Sequence, residues 1–271
     1  ASFSGSSTGG GSIVFNNGGS GAIAVGLNTT GSATVTAGGN LSSSGIAVGS
    51  LSVEAGHIDL TSSVDVDSFT RLVAAYGDVL VTNAGSFTVA GDVTTNRPGL
   101  RTIDLRANGG GISQTAGTIA GHYVSLRGAG DLVQSGTARI DSNAAYFSGA
   151  NVLLGGANNL VSNDTDIAAT GHLTLRNAGS IDLTVIGGYT NGGILSLTSD
   201  NGSITSADAI NASALTAYAA NGVVTFNNTN NLISEIRGLS AGTNATVRAS
   251  GGYTLTGATA SFMEFGWTPN P

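Results

Sequence analysis

The chain of 271 residues has no cysteine and no lysine, so all nine basic residues are arginine. Without cysteine no disulfide framework exists, and stability must come from hydrogen bonding and burial. Only three prolines occur, which excludes collagen and proline-rich linkers. Charged residues make up 9% of the chain, against a usual quarter. Disorder requires low hydrophobicity with high charge; here hydrophobicity is ordinary and charge is scarce, so the chain is expected to fold. No apolar run approaches the roughly 20 residues of a membrane-spanning helix. No charged leader with an apolar stretch is present, so any signal peptide is expected to have been removed. The net charge of −7 argues against nucleic acid as a partner, which would favour a basic stripe.

What the chain does have is glycine, 43 residues of it, with serine, threonine, asparagine and alanine around alternating aliphatic residues. Alternation broken by Gly, Asn or Asp is the signature of strand and turn, and few segments show a helical period. The stretch LTLRNAGSIDLT from Leu173 has relatives at Ala33 (ATVTAGGNL), Ile103 (IDLRANGGGI) and Ala245 (ATVRASGGYTLT), which places them at a long, nearly constant period of about 70 residues. Shorter relatives begin near Leu51, Leu72, Val124, Ala144, Leu195 and Leu215, mostly at steps of roughly 20 residues, with every third step longer. The long steps also match: NVLLGGANNLVS from Asn151 aligns with VVTFNNTNNLIS from Val223. A repeat too short to bury its own apolar face must stack on its neighbours. The expected fold is therefore all-β: a right-handed parallel β-helix of about 11–12 rungs of roughly 20–30 residues, with a three-rung super-repeat of about 70–72. Residues 1–12 are expected to be a flexible Gly/Ser-rich lead-in, 13–260 the shaft, and 261–271 a cap or subunit-docking tail.

In that register the two aliphatic positions of each L-x-L face inward. The middle position (Thr34, Ser52, Asp104, Ser125, Thr174, Ser196, Thr216, Thr246) faces outward, and the next outward position forms a column of Arg106, Arg127, Arg176 and Arg248. Gly179 is the expected corner, because positive φ suits glycine. Asn158 with Asn159, and Asn230 with Asn231, suit left-handed corners or stacked amides. The tail SFMEFGWTPNP holds Phe262, Phe265 and Trp267, the expected junction or cap, since open sheet ends are normally covered.

The segments LTLRNAGSIDL, TIDLRANGGGISQTAGTIAG, VSLRGAGDLVQSG and LSLTSDNGSI resemble the repeats of filamentous-haemagglutinin-type exoproteins of two-partner secretion systems. They are also similar to the β-helical passengers of large autotransporters. The likeness covers roughly residues 30 to 257. It implies a Gram-negative cell-surface or secreted fibre, often an adhesin. The NPN-type motifs of that family's secretion domain are missing from the N-terminal region, and TPNP at 268–271 is in the wrong place, which implies a shaft segment or a relative exported differently.

Catalysis has little to stand on. The acidic groups are Asp164 with Asp166, a Ca²⁺ candidate in an oxygen-rich turn, and Asp65 with Asp67; no EF-hand spacing exists. GAGDLV from Gly128 is a lone fragment of a calcium-binding nonapeptide, read as a turn. His57, His122 and His172 each follow a glycine and lack metal-binding spacing. The arginine column suits anionic glycan or sulfate, although Asp104, Asp131 and Asp182 lie near enough to pair with it. Seven N-x-S/T sites occur, close to the number expected from composition. The expected function is an extracellular structural or adhesive fibre without cofactor, whose partner is a second copy or a cell-surface glycan or protein. The alternatives are a polysaccharide lyase or hydrolase, which would gather acids and arginines in one groove, and an ice- or carbohydrate-binding module.

Overall fold

The computed structural model describes residues 1–96, 100–156, 158–162, 165–185, 192–259 and 262–267, apart from the side chains of 184, 185, 259, 262, 263 and 265–267. Among the described residues all regular structure is strand and no helix occurs. The strands stack in parallel to form a β-solenoid of about 12 turns. The alternation read from the sequence is the cause. With an aliphatic residue at every second position, a strand has one apolar face, and a stack of short turns closes those faces onto one interior. Two compact units result, residues 1–142 and 143–271.

In the first unit one interior column runs Ile23, Leu41, Ile58, Val79, Ile103 and Val124, each paired in register with the next. A second runs Ala33, Leu51, Phe69, Val89, Gln114 and Gln134, and a third Val53, Leu72, Val93 and Ile119. These aliphatic side chains are buried. Phe87 meets Phe69 edge-on, with ring centroids 5.1 Å apart. The second unit has the column Val152, Leu173, Leu195, Leu215 and Ile236. Beside it runs Ile181, Ile204, Val224 and Ala245. Turns differ in length: the step from Asn40 to its register partner His57 is short, and the step from Val93 to Ile119 is half as long again.

The long repeat does not return a strand to its own column. Three turns carry Ala33 only as far as Val89, whereas Ile103 lies in the column of Val79 and Val124. Three turns carry Leu173 only as far as Ile236, whereas Ala245 stacks on Val224. The long period thus overshoots three turns and lands on another face. Ladder hydrogen bonds and burial set the register, and they count turns rather than residues.

The segment expected as a loose lead-in, 1–12, holds a strand, Ser2–Ser6, in register with Ala24–Asn28. Two further expectations are corrected. Ser125, placed in the outward hydroxyl column, is 4% exposed. Gly179 is not a left-handed corner. Positive φ falls at other glycines, such as Gly45, Gly117 and Gly136, and at Ser63, the one non-glycine with positive φ among the described residues.

Candidate functional site

Outward positions carry the groups available for recognition. Arg106 and Arg127 are neighbours in register in the first unit. In the second, Arg176 sits beside Thr198 while Arg248 sits beside Gly266, on strands of different columns. The expected single file of four arginines is therefore not formed, for the same reason that the long repeat changes face. Three of the four reach an acid on an adjoining turn. Arg127 bonds Asp104, and Arg248 Nη2 lies 3.4 Å from Glu264. Arg176 donates to both oxygens of Asp200, with Nε at 3.2 and 3.1 Å and Nη2 at 3.0 Å from Oδ1. Arg106 is exposed and has no ion pair among the described residues. Further pairs, Arg71–Glu54 and Arg237–Glu235, lie elsewhere on the surface. The guanidiniums of these pairs are more than a third exposed, so solvent screens each interaction to at most about 1 kcal/mol.

Two of the three histidines bond the backbone. His57 Nδ1 accepts from Asp78 N–H at 2.9 Å, and His172 Nδ1 accepts from Ile194 N–H at 3.0 Å. Asp78 in turn accepts from Thr102 N–H at 2.9 Å, and Asn151 from His172 N–H at 2.7 Å. Each such side chain closes the N–H that begins the next turn. Burial pushes the Tyr253 phenol up from its ordinary 10.0, so it stays protonated and is no general base near neutrality.

Of the Ca²⁺ candidates, Asp164 lies outside the described residues, and Asp166 makes an interaction of its own. No group of three or more metal-binding side chains occurs among the described residues. The backbone of Phe262–Trp267 is a strand in register with Asn244–Ala249. The side chains of Phe262, Phe265 and Trp267, expected as cap or junction, lie outside what the structure describes.

The enclosed Asn177 and Asn83 were not among the residues expected to matter. Asn177 Nδ2 donates to Val161 O at 3.0 Å and Ser180 O at 2.7 Å, and its Oδ1 accepts from Val161 N–H at 2.9 Å. Asn83 does the same with Val66, at 3.1 and 2.8 Å. Both sit at the third inward position of a strand, after Leu173 and Leu175 or after Val79 and Val81. The period of two was the available signal. Asn159 and Asn231 donate to the carbonyls of Arg176 and Arg248, so the matching ANNL and TNNL segments mark an amide that ties one turn to another. A side-chain amide ladder forms instead between Gln134 and Gln114, at 3.0 Å.

Sequence reasoning also missed the grooves. Asp65 and Asp67, close together in sequence, open into different ones. Asp65 borders a groove of about 390 Å³ with Asn28, Gly45 and Ser63. Asp67 borders one of about 430 Å³ that crosses four turns of the first unit. Its lining includes Ser86, Thr88, Ser113 and Val133, with Phe87 and Ile112 buried beneath them, and Asp131 stands at the far end. Thr88, Ser113 and Val133 lie in register along it. Among the described residues no arginine lines it.

No protein-family model matches the chain, and neither a curated protein nor a solved structure is significantly similar to it.

Proposed function

We propose that this chain is the β-solenoid shaft of a secreted or cell-surface structural or adhesive fibre, attaching through its outer surface or assembling end to end. The supporting observation is the disposition of charge: acids and arginines are scattered along the turns and pair locally, and the Asp67–Asp131 groove gathers acids alone. A scaffold needs inward aliphatic columns and a polar, locally neutralised exterior, and the resemblance to filamentous-haemagglutinin-type repeats points the same way. In this reading the tail 261–271, with Phe262, Phe265 and Trp267, makes the junction between copies outside a Gram-negative cell. Electron microscopy of the purified chain should show filaments, and deletion of residues 261–271 should abolish them. Unchanged filaments would remove the tail from the junction, and a loss of monomer stability would make it a cap.

Polysaccharide processing is the second reading, and the Asp67–Asp131 groove is what favours it. Against it, the two carboxylates stand three strand spacings apart, about 14 Å, whereas paired glycosidase carboxylates stand about 5 to 9.5 Å apart. Degradation of an acidic polysaccharide that is lost in Asp67→Ala or Asp131→Ala, or in Asp164→Ala or Asp166→Ala, would replace the fibre reading.

A further inference from the structure

The first turn of the stack has an open sheet edge. Its strands, Ser2–Ser6 and Ile13–Asn17, lie in register with Ala24–Asn28 and Ala33–Ala37, and among the described residues no strand pairs with their other side. On the paired side the Ala1 and Asn17 carbonyls accept from Ala24 and Gly38 N–H, and Ser7 N–H donates to Asn28 O. Successive residues of a strand turn their backbone groups to opposite sides, so Ser2, Ser4, Ser6, Val14 and Asn16 aim theirs at the free edge. The apolar interior opens at the same place. Phe3, Ile13 and Phe15 are half-buried, whereas their register partners Val25, Ala33 and Val35 are buried. The Phe3 and Phe15 ring centroids lie 4.3 Å apart.

Free edges are ordinarily blunted by charge, proline or bulges, which keep another chain from adding a strand. This edge has none of them. Glu54 is the first charged side chain of the sequence and Pro98 the first proline, and the register of both edge strands is unbroken. Charge enters the same outward columns only deeper in the stack. Ser2, Ala24 and Ser42 are followed by Asp59, and Asn16 and Thr36 by Glu54.

We propose that this edge receives the last turn of a second copy, so that the parallel ladder continues from one copy into the next. The strands Thr254–Leu255, Ala258–Thr259 and Phe262–Trp267 pair only with the turn before them among the described residues, and so offer the matching edge. The inference rests on the end-to-end assembly proposed above; it adds the receiving surface and the sense of the contact. A coil turned end for end reverses its circulation, so two first turns meeting each other would set their strands antiparallel. Continuing the ladder requires head-to-tail stacking, a heterologous contact that repeats from copy to copy.

The test uses the 271-residue chain and variants of it. Val14 is 76% exposed and its N–H faces the free edge, so Val14→Pro removes an edge donor while sparing the bonds of the fold. It should raise the concentration at which filaments form by about tenfold, as one lost ladder hydrogen bond implies. Val14→Ala keeps the N–H and should leave that concentration unchanged. Ser4→Pro, at the equivalent position of the other edge strand, should act like Val14→Pro, and circular dichroism of dilute protein should show every variant folded. Val14→Pro retains the last turn, and the chain lacking 261–271 retains the first. Mixed where neither assembles alone, these two should sediment as a one-to-one dimer and go no further, which a misfolded variant could not do. Filaments unchanged by both proline variants, or a mixture that stays monomeric, would overturn this inference and leave the fibre reading standing. Dimers of the chain lacking 261–271 by itself would overturn it too, because first turns would then be meeting each other. A wild-type chain that never assembles would overturn end-to-end assembly and this inference together.

Discussion

Asn177 is 2% exposed, and its amide is satisfied entirely by backbone, one partner lying on the preceding turn and one at the corner that follows. Removing it leaves buried carbonyls and an N–H unpaired, each worth about 1–3 kcal/mol. Asn177→Ala should therefore cost about 3 kcal/mol in a urea melt, and Asn177→Asp, which cannot donate, should do no better. Glycines divide along the same line of reasoning. A Cβ on Gly222 would run into the carbonyl oxygen of Gly202, whereas one on Gly179 would meet nothing nearer than Leu160 Cδ1 at 3.7 Å. Gly222→Ala should destabilise by about 2 kcal/mol through forced backbone separation. Gly179→Ala should be neutral or stabilising by up to about 1 kcal/mol, because it narrows the unfolded ensemble. Equal effects at the two sites in the same melts would contradict the stacked-corner geometry.

A strand as short as Leu173–Asn177 gains little alone; it is held because Leu173 and Leu175 face inward between Val152–Leu154 and Leu195–Leu197. Leu173→Ala should cost about 2–5 kcal/mol by transfer and cavity terms. Arg176→Gln, on the outward face of the same strand, should cost no more than about 1 kcal/mol because the pair with Asp200 is open to solvent. Paired thermal melts would decide whether the inward column or the outer ion pair holds this element, and a larger loss for Arg176→Gln would reverse the assignment.

A solenoid is stabilised by nearest-neighbour interfaces, so damage should spread by turns. In Leu173→Ala, hydrogen exchange should quicken most in Val152–Leu154 and Ile194–Ser199, the strands on either side, and fade with each turn beyond. Uniform loss of protection over all 271 residues would mean a single cooperative unit instead.

The amino-acid sequence by itself determined the class of fold, because alternation with period two and regularly spaced turn residues leave a stacked solenoid as the way to bury Leu173, Leu175 and their relatives. It also marked the outward residues of the L-x-L strands, apart from Ser125. Only the tertiary structure decided which strands share a column, since turns differ in length and register depends on ladder bonds between segments distant in sequence. That is why Ala33 and Ile103 look alike and stack apart, and why Arg176 and Arg248 do not form one file. It is also why Asp67 and Asp131, far apart along the chain, stand at the two ends of one groove.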